Sequence, residues 1–288
     1  MASARSYNVW AKQMKHITGV LFWGVFAFAG CVTENEVRLP ANLLVPEPVR
    51  ILGPTQLRAP SEMGMPAVPL DIIIDVSRVE NEAPYIKLWA KHAATVCKTW
   101  FPVLCAELGS ENFKPRGKIT FVFLRHYFAP AQYYKGRIFI STDDLCGDLS
   151  NYGMMIHELT HAVQEYPGVT NVDWLVEGIA DYTRFYLYET DPLQGCIRPG
   201  QSKYTDSYRT TACFLDYLVR NYDKAIVKKF NAALRKNSGV TENDIKRIIA
   251  EDADLEIQKR QTMEILFNSF IADWTKNFST PTVKKASQ

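Results

Sequence analysis

Residues 156–181 constrain this chain more than any other stretch. They contain Ile156-His157-Glu158-Leu159-Thr160-His161 and, beginning 16 residues after the second histidine, Glu177-Gly178-Ile179-Ala180-Asp181. On a helix, residues four apart project from one face with their Cβ atoms about 6 Å apart, so His157 and His161 can share a single metal ion. Glu158 lies beside the first histidine, where a carboxylate can take a proton from an attacking water. A tetrahedral ion that keeps one position open needs a third protein ligand, and Glu177 is placed to supply it. Asp181, on the same helical face as Glu177, can hydrogen-bond a ligating imidazole from behind. The apolar residues Met154, Met155, Ile156, Ala162 and Val163 make the first helix a buried one. No other pair of histidines offers a competing site. The pattern points to a catalytic Zn2+ site.

Charge excludes one broad class of partner. The 33 basic and 31 acidic residues give a formal net charge of +2, with no electrostatic case for nucleic acid. Residues 1–31 read as an export signal. Arg5, Lys12 and Lys15 precede an apolar run over residues 17–29 that suits a signal peptide better than a membrane span. Phe28-Ala29-Gly30-Cys31 resembles a bacterial lipoprotein box, although phenylalanine stands where leucine is usual; a lipid on Cys31 would be the chain's membrane contact. Ala27-Phe28-Ala29 also satisfies the rule for plain secretion, and a retained membrane anchor is a third reading. The expected location is therefore a bacterial cell envelope or the medium. Without residues 1–30, which carry three basic residues and no acid, 30 basic residues face 31 acidic ones, so an exported chain is near neutral. The six cysteines show neither zinc-ribbon nor redox spacing; export permits disulfides, and burial as small apolar residues is the alternative.

Along the chain, residues 32–68 are proline-rich and read as a tether. Residues 69–280 read as one folded domain, and 281–288 as a polar tail. The run over residues 69–76 predicts a buried strand. Tyr85, Trp89, Ala93, Val96, Trp100 and Val103 mark an amphipathic helix that Pro102 should kink or split. Lys118–Leu124 and Arg137–Ser141 predict strands, the second following turn residues Lys135-Gly136. Residues 143–148 read as a polar connection into the site helix, about 151–166. A second site helix runs from Asp173, its expected N-cap, to about Tyr188, and Gly178 should let the two site helices approach closely. Beyond the Gly195–Gly200 loop the chain reads as helical, with a capping-box signature at Thr241-x-x-Asp244 and a last apolar face at Met263, Leu266, Phe270 and Trp274. His92 and His126 read as structural or solvated. Strands first and helices after imply an α+β fold, a small sheet lobe and a mainly helical lobe with the metal between them.

At His157-Glu158-Leu159-Thr160-His161 with Gln164, and at Glu177-Gly178-Ile179-Ala180-Asp181-Tyr182 with Arg184, the chain resembles zincin-like peptidases of the gluzincin type, the group typified by thermolysin. Within that group it resembles the basic secretory protein family of plants and bacteria, and residues 207–217 resemble a further block of that family. The resemblance spans roughly residues 69–235. It implies a zinc-dependent metallopeptidase acting on peptide or protein substrates, with His157, His161 and Glu177 as ligands and Glu158 as catalytic base. Two departures, Ser207 for an expected glycine and Tyr204 for an expected tryptophan, touch specificity rather than metal binding. Tyr208, in the motif-bearing segment, is the candidate oxyanion donor, against a plain role as a core aromatic. The strand Arg137–Ser141 is the candidate for main-chain binding of an extended substrate. Two rival functions use the same ligands: an exported zinc-binding lipoprotein without turnover, against which the intact Glu158 speaks, and a zinc hydrolase of a non-peptide amide.

Overall fold

The computed structural model describes residues 68–79, 83–111, 113–167, 172–190, 197–236, 240–241, 243–245, 247–248 and 263–278. All of them lie in the second of the chain's two units, Val49–Gln288. The expected signal, the tether up to residue 67 and the polar tail lie outside the described residues.

The first half supplies a four-stranded sheet. Its strands are β1 (Asp71–Asp75), β2 (Lys118–Leu124), β3 (Ala131–Tyr134) and β4 (Arg137–Ser141). Their spatial order is β1-β2-β4-β3. β2 pairs in parallel with β1 and β4, and β3 runs antiparallel to β4. The residues facing the helices, Ile119, Phe121, Phe123, Ile138 and Ile140, are fully buried, because period-two alternation turns all of them to one face. β1 is an edge strand rather than the buried strand expected, and its Ile73 is 40% exposed. β3 closes the other edge through the two-residue turn Lys135-Gly136. Both turn residues have positive φ, 46° and 81°, the geometry a tight hairpin requires of its twist.

Helix α1 (Ala83–Leu108) joins β1 to β2 and buries the predicted stripe of Trp89, Ala93, Val96, Trp100 and Val103. It is not split at Pro102. The carbonyl that loses its partner belongs to exposed Lys98, where water can replace the missing N–H. Residues 142–147 form a short helix, α2 (Thr142–Gly147), rather than a polar connection; the Ser141 side chain accepts from the Asp144 N–H and starts it.

The second half is helical, as the order of elements implied. α3 (Gly153–Gln164) and α4 (Asp173–Tyr182) carry the site motifs. α4 runs into a π-helical stretch, Thr183–Tyr188, and α5 (Tyr208–Asn221), α6 (Ile226–Lys236) and α7 (Met263–Phe278) follow. Val172, not Asp173, occupies the N-cap of α4, so Asp173 acts only as an acidic residue in the first turn. The Thr241–Asp244 capping box forms: Thr241 N–H donates to the Asp244 carboxylate at 2.9 Å. Tyr204, Phe214, Phe267, Phe270 and Trp274 pack into an aromatic cluster between α5 and α7. Among the described residues, no helix is long and apolar enough to cross a membrane.

Candidate metal centre

Three contacts seat helix α3. At its start, Trp89 of α1 stacks on Tyr152 with ring centroids 5.4 Å apart and donates to the Leu149 carbonyl at 2.9 Å. The Asn151 side chain accepts from the Met154 N–H at 3.2 Å and from Arg184 at 3.0 Å, so the π-helical stretch after α4 also holds this end. At the other end, Arg235 of α6 donates to the carbonyls of Val163 and Leu108, at 2.8 and 2.9 Å. One guanidinium thus satisfies the last turns of both α3 and α1.

Helix α4 brings the second motif to the first. His157 Nε2 lies 3.2 Å from Glu177 Oε2 and 3.2 Å from His161 Nε2, and His161 Nε2 lies 3.5 Å from Glu177 Oε2. Among the described residues these three side chains form the one group able to hold a metal ion. Each imidazole is turned by a bond from behind. His157 Nδ1–H donates to Asp181 Oδ1 at 2.8 Å. His161 Nδ1–H donates to Gln164 Oε1 at 2.7 Å, and the Gln164 amide donates onward to the Val176 carbonyl at 2.9 Å. Both rings therefore present Nε2 to the same point. The sequence offers Gln164 only as part of a motif; its position three residues after His161, on the same helical face, is the signal that identifies it.

Electrostatics couple the three groups tightly. Burial lowers the pKa of His157, but the Asp181 and Glu177 carboxylates outweigh it and raise it to about 10. Burial likewise works against charge on His161, and Glu177 reverses it upward. Burial pushes the Glu177 carboxyl up, yet His161 and His157 hold it well below the usual carboxylate range. Without an ion, protons on the imidazoles balance the carboxylates.

Glu158 is buried at 7% exposure, and its Oε2 accepts the Tyr133 N–H of edge strand β3 at 2.5 Å. Tyr208 is the first residue of α5. Its hydroxyl is pushed up to about 12, first by burial and then by the carboxylates of Glu177, Asp173 and Asp181. It thus stands within the field of the site as a neutral O–H donor.

Several expectations need correction. Arg137–Ser141 cannot take a substrate strand, because β4 is paired on both sides, with β2 and β3. Gly178 admits α5 rather than α3: a Cβ there would lie 2.2 Å from Thr211 Cγ2. Tyr204 is buried, with its ring 5.1 Å from that of Trp174, and belongs to the core. Ser207 serves as the N-cap of α5, accepting from the Thr210 N–H. The expectation for His126 holds: it is exposed, and its main chain and ring both meet Asp143. Cys97, Cys105 and Cys146 are free thiols, the first two buried, whereas Cys213 is disulfide-bonded.

The family described as peptidase of plants and bacteria matches residues 146–254. That span holds every candidate ligand, Glu158 and Tyr208; unlike the resemblance read from the sequence, it does not include the sheet. No curated protein matches the chain.

Proposed function

We propose that this chain, whose residues 146–254 belong to that peptidase family, is an exported zinc-dependent metallopeptidase that hydrolyses peptide bonds with Glu158 as general base. The triangle of ligand atoms carries the reading. Its sides are 3.2, 3.2 and 3.5 Å. An ion with tetrahedral bonds of about 2.0–2.1 Å has ligand atoms about 3.3–3.4 Å apart, so two imidazoles and a carboxylate fit zinc with one position open.

When bound, zinc would lower the pKa of a water and polarise the scissile carbonyl. The chain's own residues do the rest. Asp181 and Gln164 keep Nε2 of both histidines free of protons once the ion is in place. Glu158, with Oε2 held by the Tyr133 N–H, keeps Oε1 to take the proton of the attacking water and pass it to the leaving amine. Tyr208, protonated at neutral pH, donates to the oxygen that gains charge. The outward main-chain groups of β3 other than the Tyr133 N–H, rather than those of β4, would hold an extended peptide. The disulfide at Cys213 supports export, since such bonds persist in oxidising compartments.

The test is cleavage of an unfolded protein mixture by residues 32–288 with zinc supplied, beside Glu158→Gln, with new termini read by mass spectrometry. New termini from the parent should fall about 10²–10⁴-fold with the variant while zinc content is unchanged. Zinc bound without cleavage would turn the reading to a binding protein or to a hydrolase of a non-peptide amide. No zinc bound would end it.

A further inference from the structure

Glu165 closes helix α3 in a conformation that its residue type does not favour. Its φ is 28° and its ψ 53°, and its N–H bonds the His161 carbonyl at 3.1 Å. Glycine or asparagine is the usual residue for such a left-handed cap. A glutamate kept there at a cost in backbone strain suggests that its side chain has a use. The carboxylate accepts from the Tyr133 hydroxyl at 2.5 Å and from Arg116 Nε at 2.6 Å. Tyr133 is also the residue whose main-chain N–H donates to Glu158.

Glu158 and Glu165 are seven residues apart, two turns along one face of α3. Tyr133 reaches both, with its main chain at Glu158 and its side chain at Glu165. Its hydroxyl further accepts the Gly136 N–H at 3.0 Å, which secures the hairpin turn to the same point. Pairing explains why the N–H is available. Tyr133 stands opposite Ile138 at a position where neither residue bonds across the β3–β4 ladder, so its N–H points out from the free edge of the sheet.

We propose that Tyr133, fastened through its hydroxyl to Glu165 and Arg116, is a positioning residue that aims the Glu158 carboxylate. The inference rests on the reading of Glu158 as general base. The clamp fixes one oxygen of Glu158 and leaves the other for proton transfer, and it sets the edge strand that would carry substrate at a constant distance from that base. Glu165 acts through Tyr133 and touches no reacting atom.

The zinc-loaded protein and three variants test it: Tyr133→Phe, Glu165→Gly and Glu165→Gln. Glu165→Gly is the decisive one, because it removes the carboxylate while relieving the left-handed backbone. A merely structural role would leave its kcat untouched. The clamp predicts that Tyr133→Phe and Glu165→Gly lower kcat about 10–100-fold, the cost of a base displaced by about 1 Å, with KM little changed. Zinc content and the melting temperature of Glu165→Gly should not fall. Glu165→Gln, whose amide oxygen can still accept from the phenol, should retain most of the activity. A second readout needs no turnover: amide hydrogen exchange at residue 133 should be slow in the parent and about tenfold faster or more in Tyr133→Phe and Glu165→Gly. Unchanged kcat and unchanged exchange in those two variants would overturn the clamp, as would a kcat loss that merely follows loss of zinc or of melting temperature. A parent that binds zinc but cleaves no peptide would overturn the peptidase reading instead, and exchange at residue 133 would then decide the clamp alone.

Discussion

Gly178 follows the candidate ligand Glu177 directly, and replacing it with alanine tests how α4 is held. An alanine Cβ would lie 2.2 Å from Thr211 Cγ2 and 2.6 Å from Thr211 Cβ. Ordinary carbon contacts begin near 3.5 Å, so the helices must separate by about 1 Å. Thr211 cannot turn aside cheaply, because its hydroxyl donates to the Tyr204 carbonyl at 2.6 Å. Nor can the helices part without loss, since Ile179, Ala180 and Ala212 around the contact are fully buried. Overpacking of this kind costs about 1–3 kcal/mol and occasionally more, against a gain of about 1 kcal/mol from replacing a helix glycine. The overlap with a Cβ, which only a main-chain shift can relieve, places Gly178→Ala toward the upper end, a net loss of about 2 kcal/mol or more. Gly153 makes the contrast: a Cβ there meets the Glu189 carboxylate at 1.7 Å, the far end of a flexible side chain that can swing away. Urea unfolding of the metal-free protein gives the number. In the Gly178→Ala background, Thr211→Ser removes the nearest atom, keeps the hydroxyl and should recover about 1 kcal/mol, a coupling visible in a double-mutant cycle. Neutral or stabilising behaviour of Gly178→Ala would refute the packing argument, because helix propensity alone would then be in control.

Other consequences can be checked separately. Asp181→Asn and Gln164→Ala should each weaken zinc binding about 10–100-fold without abolishing it, as measured by competition with a chelator, because each turns a ligand rather than being one. Zinc must displace the proton held on His157, whose pKa is raised to about 10, so binding at pH 7–8 should release protons and tighten by up to about tenfold per pH unit below that value. Calorimetry in buffers of different ionisation enthalpy reads the proton count, and a count of zero would contradict the charge balance described above. The metal-free protein should behave oppositely. The raised His157 pKa contributes stability in full below about 6.5, its unfolded value, and that stability is lost as pH climbs toward 10, so urea midpoints should fall over the window. Arg235→Met should lower stability by about 1–3 kcal/mol in urea unfolding, because it leaves the Val163 carbonyl that ends α3 without its donor, while the Leu108 carbonyl of α1 keeps the Asn231 amide at 2.6 Å.

What could be read from the sequence and what could not divide along a physical line. The grouping of His157, His161, Glu177 and Asp181 was legible because spacing of four residues puts each pair on one helical face, and Asp181 is found on His157 at 2.8 Å. β2 and β4 were legible to the residue because β-branched and aromatic runs with period two state their own structure. β3 was not. Ala131-Gln132-Tyr133-Tyr134 has no β-branched residue, and only its pairing with β4 makes it a strand. Missing it moved the free edge of the sheet onto Arg137–Ser141. α2 was missed although Ser141 and Asp144 carry a capping signal, since six residues are too few to show a helical period.

The residues that aim the site, as distinct from those that form it, share one property: their partners are remote in sequence. Tyr133 meets Glu158 and Glu165, Gly178 meets Thr211, and Arg235 meets Val163 and Leu108. No local pattern can encode such a pair, because each member reads alone as an ordinary tyrosine, glycine or arginine. A motif can therefore specify which atoms face a metal, while the tolerance within which they are held is written in contacts between elements. For a base that must meet a proton within hydrogen-bond reach, that tolerance is a fraction of an ångström, and much of the rate depends on it. Variants in the motif should abolish activity whatever the fold does. Variants at Tyr133 and Glu165 are the ones able to separate a chain that merely holds zinc from one whose base is aimed.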